Sequence, residues 1–155
     1  MDGRRNVNVM DIKERILLAY DKIRRYAPQH KWVLCGSASM LLQGIEFGRP
    51  LHDIDVYIAN DRTNEYLKYK RLFNFTRHDY GLKLDVLYCF YPDKNDFCVM
   101  DFGDIKDVVM TFPQDEIKTK ERYISITKYE EKIIKHTHDI EIIKSKIGEW
   151  TSRNA

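Results

Sequence analysis

The hexapeptide Asp53-Ile54-Asp55-Val56-Tyr57-Ile58 alternates polar and apolar residues without a break. A strand sends successive side chains to opposite faces. Ile54, Val56 and Ile58 therefore claim a core, while Asp53 and Asp55 project together on the other face, about 7 Å apart along the backbone. A second apolar run, 83–90, carries Asp85 in its middle. Ahead of both lies a buried-looking segment, 31–35, that ends in the turn Gly36-Ser37.

The chain has 155 residues, enough for one domain with a real core. Its 43% apolar and 32% charged residues describe an ordinary globule. No apolar run reaches the length of a bilayer span, and the first residues lack the apolar centre of a secretion signal. A cytoplasmic protein with no membrane partner is the expectation. A net charge of +2 is too small to argue for nucleic acid by bulk electrostatics. Cys35, Cys89 and Cys98 are odd in number and lack metal-ligand spacing, which speaks against disulfides and zinc.

Apolar positions at Val9, Ile12, Ile16, Leu17, Tyr20 and Ile23 predict an amphipathic helix over 9–27, capped by Asn8 and closed before Pro28. Strands are predicted at 31–35, 53–58 and 97–101, and a short helix at 37–43. Residues 62–72 are read as a further helix. Segments 74–78 and 82–90 are read as a hairpin linked through Asp79, Tyr80 and Gly81. The stretch 103–121 offers only the apolar cluster Val108-Val109-Met110, and 122–126 is read as a short strand. Thr127 and Glu130 form a capping-box pattern opening a C-terminal helix over about 127–150. Together these predict one α+β domain over 1–155, with a mixed sheet flanked by helices and a core within 30–102.

Aspartate is depleted in strands. Two on one face of an apolar strand and a third in another apolar run favour a site over a plain solvated edge. Magnesium takes oxygen ligands and keeps several waters, so one or two carboxylates plus substrate phosphates hold it. Asp53 and Asp55 suit that need, with Asp85 as third ligand or as general base. The Gly36-Ser37 turn, opening a helix, offers backbone N–H groups and a hydroxyl to an anion such as phosphate.

These residues resemble the nucleotidyltransferase superfamily that shares the DNA polymerase β-like fold. Its signature is a Gly-Gly or Gly-Ser turn at a helix start, then Asp-hydrophobic-Asp on a strand, then a third acid on a later strand. Gly36-Ser37, Asp53-Ile54-Asp55 and Asp85 follow that order. The interval between turn and strand, with Gly44, Arg49 and His52 inside it, looks most like the aminoglycoside and lincosamide nucleotidyltransferases and abortive-infection toxins. The resemblance implies Mg2+ (or Mn2+) held by Asp53, Asp55 and Asp85, and a nucleoside triphosphate as donor. It implies transfer of a nucleoside monophosphate to a hydroxyl on a small molecule, protein or RNA, with release of pyrophosphate. Gly36 and Ser37 would then hold the β,γ-phosphates, with Arg49 and Lys135 (or Lys132) as helpers, Asp139 following on the last helix. Arg49 could equally pair with an acid. The competing readings are an inactive, antitoxin-like module with a protein partner, and a phosphodiesterase using the same acids. His136 and His138, two apart on a helix, are read as solvated.

Overall fold

The computed structural model describes residues 10–70 and 75–154. Helix α1 (Ile12–Tyr26) buries Ile16, Ala19, Tyr20 and Ile23, the stripe that its periodicity predicts. Its cap is Asp11, whose side chain accepts from the Glu14 N–H at 2.8 Å. Asn8 lies outside the described residues. Tyr20 ties the helix to the sheet: its hydroxyl donates to the Trp32 carbonyl at 2.7 Å and accepts from the Val109 N–H at 3.2 Å. Tyr20→Phe removes both bonds beneath the helix, and a loss of about 1–2 kcal/mol in urea unfolding is expected.

Among the described residues, five strands form one mixed sheet in the order β3-β2-β1-β5-β4. They are β1 (Trp32–Cys35), β2 (Asp53–Ile58), β3 (Lys83–Val86), β4 (Cys98–Phe102) and β5 (Ile105–Met110). β1 runs antiparallel to β2 and parallel to β5, and β2 runs parallel to β3. Ile54, Val56 and Ile58 pack with Leu84 and Val86 against α1 and the inner face of α2 (Gly36–Leu42). The α+β class and the mixed sheet match the reading of the sequence.

The expected hairpin at 74–82 does not form. Residues Phe75–Tyr80 are helix α3, and the first residue of the expected hairpin, Asn74, lies outside the described residues. The reason is topological: a parallel neighbour for β2 needs a crossover, and α3 supplies part of it. β3 is also shorter than the apolar run suggested. Its ladder closes with the Leu87 N–H donating to the Val56 carbonyl at 2.8 Å, and 87–90 then leave the sheet. The predicted helix at 62–72 is a single 3-10 turn, Glu65–Lys68, within the described residues. The Asp61 carboxylate accepts from the Glu65 and Tyr66 N–H groups and caps it.

The stretch with least sequence signal holds β5 and helix α4 (Pro113–Ile126), so residues 122–126 are helical and not a strand. Pro113 at the start, with Asp115 and Glu116 in the first turn, suits a helix N-terminus. Helix α5 spans Glu130–Asn154. Thr127 does not cap it through Glu130, because Thr127 ends α4 and its hydroxyl accepts from the Tyr129 N–H at 3.3 Å. α4 and α5 lie antiparallel, joining Lys120 to Asp139 and stacking Tyr123 on His136. A second cluster, Met40, Ile45, Phe47 and Ile143, fixes this pair against the outer face of α2. The core thus extends beyond 30–102 at both ends. Among the described residues, no helix is long and apolar enough to cross a membrane.

Candidate active site

The β2–β3 register sets Asp55 directly opposite Asp85 and Asp53 opposite Lys83. Paired residues on parallel neighbours face the same way, so the three acids share one face of the sheet edge. Asp53 is exposed, whereas Asp55 and Asp85 are half-buried. Lys83 Nζ stands 3.7 Å from Asp85 Oδ1.

The turn closes on this group from the other side. Gly36 has φ of +68°, and a Cβ there would stand 2.6 Å from Asp55 Oδ2. Glycine is therefore required twice, by the left-handed backbone and by the carboxylate. Gly36→Ala is expected to lower stability by about 1–3 kcal/mol, measured by thermal unfolding. The Gly36 N–H donates to Glu116 Oε1 at 2.8 Å, and the Thr111 hydroxyl donates to the same oxygen at 2.6 Å. That amide is thus already engaged by α4.

Negative charge is in excess here. Burial pushes Asp55 up to about 7, and repulsion from Asp85, Glu116 and Asp53 adds to it; Lys120 only partly offsets them. Among the described residues, no three His, Cys, Asp or Glu side chains surround one point closely enough to hold a metal by themselves. Magnesium requires no such cage when substrate phosphates complete its shell. An all-carboxylate donor set whose repulsion is only partly relieved suits a hard divalent cation.

Asp55 opens into a cavity of about 140 Å³ between the sheet and the α4–α5 pair. Gly36, Ser37, Tyr57, Lys120, Tyr123, Lys135 and His136 also line it. Lys135 therefore reaches the same space as Asp55; burial, then repulsion from Arg49 and Lys120, holds its ammonium below the usual range. His136 is not a solvated side chain. It is half-buried and stacked on Tyr123, with ring centroids 5.5 Å apart. Burial first, then Lys120 and Lys135, pushes it down to about 4, so it is neutral at physiological pH. His138 is exposed, as expected.

Arg49 pairs with an acid of α5. Its two terminal nitrogens each donate to Asp139 at 2.6 Å, and Lys120 Nζ donates to the same carboxylate at 3.1 Å. Asp139 is fully buried. Burial pushes its carboxyl up, but the Arg49 hydrogen bonds and the Lys120 charge reverse this and hold it below the usual range. Glu116 and Thr111 escaped the sequence reading, and Lys120, whose basic run 118–122 reads as solvated surface, is buried. The acid just inside a Pro-led helix start was the available signal, hidden while 113–126 went unread as a helix.

Comparison with protein-family models, with curated proteins and with solved structures found no match.

Proposed function

We propose that the protein is a magnesium-dependent nucleotidyltransferase, moving a nucleoside monophosphate from a triphosphate to a hydroxyl acceptor. The observation that supports this most is the in-register pairing of Asp55 with Asp85, with Gly36 pressed against Asp55. Order of residues along the chain and proximity in space agree, although neither requires the other.

Asp53 and Asp55 would hold Mg2+ (or Mn2+), with Asp85 completing the set. The bound ion supplies Lewis-acid stabilisation of the charge that develops on the transferring phosphoryl group. The acceptor oxygen bonds to the α-phosphorus as the bond to the β-phosphate oxygen breaks, and pyrophosphate leaves with the electron pair. Asp85, at the outer edge of the group, takes the hydroxyl proton. Ser37 and Lys135 line the cavity and meet the phosphates, whereas Arg49 acts by holding Asp139 and thus α5. Tyr123 and neutral His136 provide an aromatic wall for a base to stack on.

The engaged Gly36 amide and the tied Arg49 favour a second reading, a non-catalytic module of the same fold with a protein partner. Calorimetry with ATP or GTP and magnesium separates the two. Saturable, metal-dependent binding supports the enzyme, and its absence at millimolar ligand supports the binding module. Incubation with α-labelled triphosphate and an acceptor panel then distinguishes transfer from hydrolysis.

A further inference from the structure

A second, larger concavity of about 680 Å³ lies between α1, α2 and the loop 45–52. It meets the Asp55 cavity at Ser37, which lines both, and it ends at His52, the residue before Asp53. The residue before the acidic strand thus lines one space, and Asp55 of that strand lines the other. Its volume falls in the range of small-molecule sites. Leu41, Ile45, Phe47 and Leu51 give it an apolar floor.

The charged groups at its rim are unbalanced. Arg15 and Arg49 line it against one acid, the exposed Glu46. Arg49 does not cancel locally, because Asp139 answers both Arg49 and Lys120 and the trio keeps a net positive charge. Arg15 Nη1 donates to the Tyr80 carbonyl at 3.3 Å, while its buried Nε–H has no acceptor among the described residues. Buried donors of this kind ordinarily have a partner. A small swing of the guanidinium toward an oxyanion in the groove would supply one, in the forked geometry that arginine favours.

We infer that this groove binds a small anionic alcohol, with its phosphate or carboxylate on Arg15 and its carbon body on the apolar floor. Resting on the transfer reading above, this alcohol is the hydroxyl acceptor, presented past Ser37 to the acidic strand while the base of the triphosphate lies on the Tyr123–His136 wall. A polycationic acceptor is disfavoured by the same charge, although the sequence pattern looks like that of enzymes acting on aminoglycosides.

Backbone-amide NMR on the full chain, without triphosphate or metal, tests the groove independently of any transfer. Glycerol 3-phosphate and glycerate are the anionic probes; glycerol and glucosamine are the neutral and cationic controls. Saturable shifts at Leu41, Phe47 and Leu51 are expected with one or both anions and not with the controls, and which anion binds more tightly identifies the source of the oxyanion. Arg15→Ala is expected to weaken binding about tenfold. Arg15→Lys keeps the charge and the stem, guards against misfolding, and should still weaken it about threefold. The groove assignment is overturned if neither anion shifts these amides up to ~50 mM, if both folded variants bind as wild type does, or if glucosamine binds as tightly. Labelled triphosphate with magnesium then tests the acceptor role. Binding of the anion without labelling leaves the groove and removes its acceptor role. Labelling of an acceptor whose KM is unchanged by Arg15→Ala likewise removes the acceptor role.

Discussion

Asp55→Asn is expected to abolish nucleotidyl transfer, by about 10³-fold or more in kcat/KM, and at the same time to make the metal-free protein more stable. The two effects have one cause. Asp55 is pressed between burial, Gly36 and three other carboxylates, and its pKa rises to about 7. A carboxylate whose folded value exceeds its unfolded one binds its proton more tightly in the folded state. Its contribution is therefore favourable at low pH, falls as pH rises, and has become a full penalty above the folded value. In chelator, the wild type should gain about 1 kcal/mol from this group between pH 8 and pH 6. Asn has no charge to lose, so the variant should show a flatter profile and a higher Tm at pH 8. Magnesium should stabilise the wild type at pH 8 and leave the variant unmoved. Thermal melts in chelator and in magnesium, with an α-label transfer assay, read all of this. An Asp55→Asn protein that transfers at the wild-type rate contradicts the mechanism, and one less stable than wild type in chelator contradicts the electrostatic account.

Asp139→Ala should have the largest effect on folding. The buried carboxylate holds Arg49 of the loop and Lys120 of α4 from its place on α5. Removing it takes from Lys120, itself buried, the carboxylate it bonds directly. About 3–5 kcal/mol is the usual loss on breaking a buried pair from one side. Arg49 is a third exposed and recovers water, so the lower end, about 3 kcal/mol, is expected. The pH sign is opposite to that of Asp55. Arg49 and Lys120 hold the Asp139 carboxyl below its usual value, so its contribution is present at neutral pH and lost as acid protonates it through that lowered value. Urea unfolding at pH 7 and at acid pH should show a wide gap between wild type and variant that narrows in acid. A gap that persists unchanged would assign the loss to packing and not to charge.

The difference between these two carboxylates shows what the sequence made legible. Asp53 and Asp55 announce themselves because alternation within six residues is a local signal, and the apolar partners on the opposite face fix which side they take. Asp85 could be paired with them because it too interrupts an apolar strand. The helices α1 and α5 were readable from periodicity, although α1 takes its cap from Asp11 and α5 begins without the expected box. What failed was non-local. Whether the segment before β3 pairs with it as a hairpin strand or serves in the crossover from β2 depends on which edge of the sheet is free, and nothing in its local sequence encodes that. Glu116 reaches Gly36 across 80 residues, and Arg49 finds Asp139 across 90. His136 looked solvated because its burial comes from Tyr123, on a helix that a five-residue alternation had disguised as a strand.

Paramagnetic broadening by Mn2+ in the presence of a nucleoside triphosphate, read on assigned backbone amides, locates the bound metal ion on the chain. The account predicts the strongest broadening at Gly36, Asp53, Asp55 and Asp85, reversed by excess Mg2+ and absent in Asp55→Asn. Broadening centred elsewhere on the chain, or left intact in that variant, would contradict it.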